Sequence, residues 1–479
     1  MKAINLFYLP AFLSLVGSII ALPEYQQQQQ QVFSIDHDNR KLHGRYLHIT
    51  DIHMDKNYVV GATIKSDCHR KPKKHRNRKK KEGLLAGYWG APVTDCDSPP
   101  RLVYHSINTI AKEWKDKIDF IIWTGDNART KKEIIGYNVK VTELLKQAFK
   151  LDHSNNQTIP IIPCIGNNDI HPHNELRGMK KNPQLLEFSE IWHDFIPAEH
   201  VKAFKRGGYF AVDVVPGLLR VISLNTLYFF GSNDVVNACS DPKSAGAQHM
   251  RWLRSQLKKA RKEDMKVILI GHVPPTVKTF KDSCLDDYIQ LSTKYADIIT
   301  AHMYGHSNID HFQIIGKDFM ESTDAGRFIS TLHEQYKRAQ MTKNRKDLVA
   351  IHVAPPMLPL FYPSFRINEY DTKTGHWLKY SQWYTNLTYW NEQQEKKEEE
   401  EEEVLPGFEK LYATDETYNM TDLTVDSWLN FAEYISSKEG KELWKTYSSN
   451  MFVKTNNEWY GQSVPTADIN PPSHWWNWF

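Results

Sequence analysis

Short apolar runs recur along this chain, and five of them stop at a polar residue of a reactive kind. Arg45-Tyr-Leu-His-Ile-Thr50 ends at Asp51, and Asp119-Phe-Ile-Ile-Trp123 ends at Thr124-Gly-Asp126. Ile159-Pro-Ile-Ile-Pro-Cys-Ile165 leads to Gly166-Asn167, Lys266-Val-Ile-Leu-Ile270 to Gly271-His272, and a fifth run to Gly305-His306. Such runs predict strands, although Pro160 and Pro163 remove ladder donors from the third. Tyr209–Val214 and Leu219–Leu224 predict two more. Between them the spacing turns helical. Val103, Ile107, Ile110, Ala111 and Trp114 recur at three- and four-residue steps, which predicts a helix over Leu102–Trp114. Helices are also predicted over Lys131–Phe149 and Ala247–Lys262, and near Val425–Tyr434. Residues 65–98 read as a long loop. Strands alternating with helices give a layered α/β class, and periodicity alone does not show whether the sheets form a sandwich.

The strand ends are where chemistry gathers. In Asp51-Ile-His53 both polar side chains point the same way if the strand continues, because its period is two. A carboxylate and an imidazole can then hold one metal ion. Asp126-Asn127, Asn167-Asn168-Asp169, His272 and His306-Ser-Asn308 follow at the other ends. Oxygen and imidazole donors together suit Mn, Mg, Zn, Co or Fe. Each element alone has an ordinary explanation, since Gly-Asp after a strand is usually a turn and a buried histidine is usually a satisfied core residue. All five in succession argue for one shared rim of a sheet core. The cysteines are not spaced for a structural zinc site. There is no phosphate-cradling Gly-rich Lys loop, no dinucleotide fingerprint and no serine nucleophile elbow.

The order Asp-x-His, Gly-Asp, Gly-Asn, His and Gly-His resembles the calcineurin-like metallophosphoesterases. The family pattern is Asp-x-His, Gly-Asp, Gly-Asn-His, His and Gly-His-x-His. His48-Ile-Thr-Asp-Ile-His53, Tyr88-Trp-Gly, Cys96-Asp97-Ser98-Pro99, Gly166-Asn-Asn-Asp169, Gly271-His-Val-Pro-Pro275 and Gly305-His-Ser-Asn-Ile-Asp310 are most similar to the fungal vacuolar endopolyphosphatase branch. That branch is a relative of the acid sphingomyelinase-like one, and the resemblance spans roughly residues 45–390. It implies a metallophosphatase-type β-sandwich flanked by helices, with two divalent metal ions in one site. Asp51 and His53 would hold the first ion, Asp126 would bridge, and Asn167, His272 and His306 would hold the second. Hydroxide held between the ions would attack phosphorus in line. The implied reaction is hydrolysis of internal phosphoanhydride bonds of inorganic polyphosphate.

Two positions depart from the family pattern. Asn308 replaces the last histidine of Gly-His-x-His and would offer the first ion only an amide oxygen. Asn168 replaces a histidine that the family pattern places near the leaving group. An amide cannot act as a general acid at useful pH. An alkoxide gains much from protonation, whereas a phosphate leaving a phosphoanhydride is already a stable anion. The substitution therefore tilts the site toward P–O–P bonds. His171 and His173, a few residues on, are candidate proton donors.

Charge sharpens the substrate. The net charge of +3 hides a basic block, Arg70-Lys71-Pro-Lys73-Lys74-His-Arg76-Asn-Arg78-Lys79-Lys80-Lys81, and an acidic run, Glu398–Glu403. The basic block cannot join a core. It is either a solvated loop or a clamp for a dense polyanion, where several Lys and Arg contacts would release counterions. No nucleic-acid partner is expected. The ends suggest a secretory route: residues 1–21 read as a signal-anchor or signal peptide, and 22–42 as a disordered Gln-rich linker. Asn156, Asn386 and Asn419 open glycosylation sequons. Among five cysteines, Cys68 with Cys96 and Cys239 with Cys284 are candidate disulfides, leaving Cys164, and five free thiols are the alternative. The resulting map is a catalytic domain over 43–390 with a basic insertion at 65–98, an acidic linker over 391–403, and a helical, aromatic-rich extension over 404–479. The location expected is the vacuole, as a single-pass type II membrane protein with its catalytic domain in the lumen, or a soluble lumenal or secreted protein after cleavage. A lumenal sphingomyelinase-like or nucleotide phosphodiesterase is the second reading, and a non-catalytic polyanion binder the third.

Overall fold

The structure, a computed structural model, describes residues 41–455 apart from 73–84, 129–132, 152–158, 179–181, 318–327, 340–344 and 398–402. The expected leader, nearly all of the Gln-rich segment, Lys73, Lys74, Arg76, Arg78, Lys79, Lys80, Lys81, Asn156 and residues 456–479 lie outside the described residues.

Two six-stranded sheets form the core. In the first, β1 (Arg45–Ile49), β2 (Phe120–Trp123) and β3 (Ile161–Pro163) run parallel. Antiparallel β10 (Ser364–Tyr370), β11 (Trp377–Tyr384) and β12 (Glu409–Ala413) extend it from β1. In the second, β5 (Leu219–Ser223), β6 (Lys266–Ile270), β7 (Ile299–Tyr304) and β9 (Leu348–Val353) run parallel. Antiparallel β4 (Phe210–Val215) and β8 (His311–Gly316) flank them. The sheets meet face to face. The Tyr46 hydroxyl of β1 lies 3.5 Å from Met303 Sδ of β7, and Ser223 Oγ of β5 donates to Pro163 O of β3 at 2.6 Å. Helices cover the outer faces, so the parallel strands are buried apart from the first residues of β1, β6 and β7, as their apolar runs require. This is the expected metallophosphatase-type sandwich.

Local chemistry explains the boundaries. The helix expected from Ala247 starts earlier, at Ala245, because Ser244 caps it by accepting from the Ala247 N–H at 3.1 Å. β3 is shorter than the apolar run that predicts it and lies at the edge of its sheet, where prolines are tolerated.

The C-terminal chain differs most from expectation. A helix, Leu387–Lys397, runs into the acidic segment, and the next described element beyond it is a strand rather than a helix. β12 pairs with β11 and so becomes an edge strand of the first sheet. Five residues are too few for a periodic signal. Helices α10 (Val425–Ser436) and α11 (Lys441–Met451) then pack on the second sheet. Trp428 sits with its ring 4.6 Å from those of Phe312 and His352. Because Trp428 is fully buried there, Trp428→Ala should cost about 3–5 kcal/mol of stability. Denaturant unfolding of the two proteins measures the difference.

Candidate metal centre

Five of the parallel strands, β1, β2, β3, β6 and β7, end at the same rim, and each of these ends is followed by a ligand-type side chain. The first two loops are stitched together, with Asp51 N donating to Gly125 O at 2.9 Å and Ile52 N to Asp126 O at 2.8 Å. Asp51, His53, Asp126, His306 and Asn308 all have left-handed backbone, with φ between 43° and 68°. Residues with a Cβ avoid this region, and clusters of them mark sites held by their surroundings. The loops also approach so closely that two positions need glycine. A Cβ at Gly166 would strike the Asp126 carboxylate, and one at Gly305 would strike Thr50 and Asp51.

Two clusters result, and they share one residue. Asp51, His53 and Asp126 form the first, and Asp126, His272 and His306 the second, with the donor atoms of each within 4.8 Å of one another. Asp126 Oδ2 lies 3.5 Å from His53 Nε2 and 3.2 Å from His272 Nε2. Asn167 Oδ1 lies 2.8 Å from His272 Nε2 and 2.9 Å from His306 Nδ1. His272 Nδ1 lies 2.7 Å from Thr124 O, a contact it can make only as donor, which leaves Nε2 to face the carboxylate. All six side chains are buried.

The family model for calcineurin-like phosphoesterases matches residues 44–309. This chain belongs to that family. Similar proteins include an endopolyphosphatase of Cryptococcus neoformans, 36% identical over an alignment of 430 residues that covers 74% of this chain and 62% of that one. An endopolyphosphatase of Debaryomyces hansenii is 42% identical over 289 residues, covering 57% and 39%. That of Saccharomyces cerevisiae is 39% identical over 286 residues, covering 57% and 41%. The chain thus spans less than two thirds of the length of these relatives.

The donor set of this phosphoesterase fits a pair of divalent ions. His306 Nε2 and Asn308 Oδ1 are buried with no hydrogen-bond partner among the described residues, an arrangement that is costly without a ligand. Electrostatics agree. Burial would lower the His272 imidazole, yet the Asp126 carboxylate overrides it and pushes it up to about 9. His53 is likewise raised despite its burial, by Asp126, Asp51 and Asp97. Burial would raise Asp126, but His272 and His53 hold it well below the usual carboxylate range. The carboxylates thus demand positive charge, which bound cations would supply in place of protons.

The remaining expected residues separate clearly. Asn168 donates from its backbone N–H to Asp126 Oδ1 at 2.8 Å and from its side chain to Oδ2 at 2.6 Å. His173 Nε2 lies 3.0 Å from Asn167 Nδ2, so it touches the centre through that amide. His171 is not brought in. It is exposed and lines a neighbouring cleft of about 650 Å³ with Glu175, Arg177, Asp241 and Lys243. Its backbone N–H is turned toward Gln184 Oε1, at 2.7 Å. Arg70 and Lys71 are exposed at the start of the basic block. Cys68 is bonded to Cys96 and Cys239 to Cys284, while Cys164 is a buried thiol that burial pushes up to about 12.

Two carboxylates carry parts that the sequence reading leaves unassigned. Asp97 Oδ1 lies 3.5 Å from His53 Nδ1. The segment is fixed there because Ser98 N donates to His53 O at 2.9 Å and Ser98 Oγ to Ile52 O at 2.7 Å. Asp169 is fully buried and accepts from three backbone N–H groups, those of Asp126 and Asn127 at 2.8 Å and Gly166 at 2.9 Å. It clamps the loop of β2 to that of β3. The only signal for either was its place in the words Cys96-Asp97-Ser98-Pro99 and Gly166-Asn-Asn-Asp169. In Asp169→Asn, an amide NH2 would face a backbone N–H. Mn affinity should fall about 10–100-fold, the range for outer-shell partners, as read by calorimetric titration.

Proposed function

We propose that this phosphoesterase cuts phosphoanhydride bonds inside inorganic polyphosphate, with Asp51, His53, Asp126, Asn167, His272 and His306 holding two divalent ions and Asn308 completing the first set. The observation that carries the choice of substrate is Asn168. Where a general acid would serve an alkoxide leaving group, this chain places an amide whose Nδ2 donates to Asp126 Oδ2 of the shared carboxylate, beside the backbone N–H that donates to Oδ1. Related proteins bearing the name endopolyphosphatase support the same choice.

Two ions at this rim would supply a nucleophile at neutral pH and neutralise charge on the phosphoryl oxygens. The protein's own part is to hold the donors. His272 is oriented by Thr124 O, His53 by Asp97, and the Asn167 amide by His173 and by Asn174 Oδ1, 3.0 Å from Asn167 Nδ2. Asn168 keeps Asp126 in one orientation without adding a proton that could be transferred. The departing polyphosphate end needs little help, since its oxygens are already charged. His173, at the rim beside Asn167, is the side chain placed to exchange a proton with solvent. The basic block Arg70–Lys81 acts in this reading as a clamp for the rest of the polyphosphate chain, since several Lys and Arg contacts would release counterions from a dense polyanion.

Two disulfides support an oxidising lumen, the vacuole in this reading. Asn419 is exposed and Asn386 half-buried, and in this reading both would carry glycans in the lumen. No helix among the described residues is long and apolar enough to cross a membrane, so attachment would fall to residues 4–21.

Long-chain polyphosphate incubated with Mn or Mg should give a ladder of intermediate chains on a gel, abolished by chelator. Loss directly to orthophosphate would mean attack from the ends. Intact polyphosphate beside cleavage of a nitrophenyl phosphodiester would favour the phosphodiesterase reading. Asn168→His should raise activity on that diester relative to polyphosphate, and an unchanged ratio would remove the leaving-group argument. Serine at the lysines of the basic block should raise KM for long chains much more than for tripolyphosphate.

A further inference from the structure

We propose that Asp310, Arg366 and Tyr412 are positioning residues for the loop carrying His306 and Asn308, which makes the C-terminal strand and helices a working part of the metal centre. The proposal rests on the dimetal reading above, and it concerns residues that no role has yet covered.

Inside the loop Gly305–Asp310, Ser307 N donates to Gly305 O at 2.8 Å, and that bond stops short of Asn308. His306 at φ 68° and Asn308 at φ 56° are both left-handed, and such backbone persists only where the surroundings over-determine it. Its near end is fixed by the centre itself. Gly305 N donates to His272 O, and His306 N to Asp51 Oδ2, both at 3.1 Å. Neither bond constrains Asn308.

The far end is fixed at Asp310, two residues beyond Asn308, and all three anchors come from distant chain. Asp310 N donates to Met451 O at 3.0 Å, at the end of α11. Asp310 Oδ1 accepts from Arg366 Nη2 of β10 at 2.7 Å, and Oδ2 from the Tyr412 hydroxyl of β12 at 2.5 Å. Arg366 is held in turn: its Nε donates to Gln382 Oε1 at 3.0 Å, and its guanidinium lies 4.0 Å from the centre of the Tyr380 ring. Asp310 and Arg366 are 4% and 2% exposed, so this pair is sealed between the sheets.

A buried ion pair gives little net stability over apolar packing of the same volume, but removing either partner strands the other charge. What such a pair supplies here is fixed geometry, and this one grips the metal loop. The match to the family model ends at residue 309, one residue before Asp310. Two of the three contacts, from Tyr412 and Met451, come from the chain after residue 404.

The test compares the full chain with Tyr412→Phe and Asp310→Asn, titrated with Mn and followed by electron paramagnetic resonance and calorimetry. The native protein should bind two ions. Tyr412→Phe should bind the ion of the Asp126, His272 and His306 set with native affinity and the ion of the Asp51, His53 and Asn308 set about 10–100-fold more weakly, with kcat lowered more than KM. Asp310→Asn should show the larger loss in the same ion. Native affinity at both sites in both variants, or equal weakening of both sites, would overturn the proposal, the latter because it marks a general loosening of the fold. Should Asp310→Asn fail to fold, Tyr412→Phe, which loses one oxygen atom, still gives the answer. A native protein that binds no Mn would overturn the dimetal reading and this proposal together. Selective loss of one ion in a protein that leaves polyphosphate intact would support the positioning role and overturn only the substrate.

Discussion

The structure depends on burying anionic oxygen where two sheets end together. Asp51, Asp126 and Asp169 are all removed from water within one set of loops. Isolated buried carboxylates are strongly unfavourable, so each must be met by charge or by donors. Asp169 is met by backbone N–H groups, although burial and the neighbouring Asp126 still raise its carboxyl. Asp126 is met by imidazoles and by Asn168. These are different solutions with different uses. A carboxylate saturated by backbone donors is a clamp. One facing imidazoles across more than 3 Å keeps lone pairs available to a cation.

That division explains the order of the chain. Parallel strands put their carboxyl ends on one side, and the sandwich doubles this by setting two parallel groups against each other. The first sheet supplies the oxygen-rich set, Asp51, Asp126 and Asn167, together with His53. The second supplies His272 and His306. Neither sheet alone carries both clusters, so the packing that closes the core also assembles the site. Left-handed backbone at Asp51, His53, Asp126, His306 and Asn308 follows from the same geometry, since the chain there must turn sharply off its strand while still pointing its side chain inward.

Much of this was legible in the sequence, for a physical reason. A buried parallel strand is a continuous apolar run, and its abrupt polar end stands out, so Asp51, His53, Asp126, Asn167, His272 and His306 could all be named without coordinates. Asn308 was legible as a weaker donor, and it is buried with its carbonyl oxygen unsatisfied. Sequence spacing failed where position depends on a turn. His171 and His173 are two residues apart in a turn after β3, yet one faces a neighbouring cleft and the other reaches Asn167. It failed again for Asp97 and Asp169, because a carboxylate that binds a histidine or backbone N–H groups looks like any other acidic residue. β12 was missed because its partner lies across a helix and an acidic run, and pairing of that kind leaves no local pattern.

Asn168 joins the structural argument to the chemical one. An imidazole beside Asp126 could bring a proton to a leaving group, but as a cation it would also compete with metal ions for the carboxylate. The amide does neither. Its Nδ2 donates to Asp126 Oδ2 and, with the backbone N–H that donates to Oδ1, fixes the plane in which that carboxylate meets His53 and His272. The gain in geometry is bought at the loss of general-acid catalysis, and that loss is small only for leaving groups that are stable as anions. Phosphoanhydrides meet this condition and simple alkyl phosphates do not. In the proposed reading the substitution narrows the chemistry by removing a proton donor, and it does so at the one carboxylate shared by both clusters.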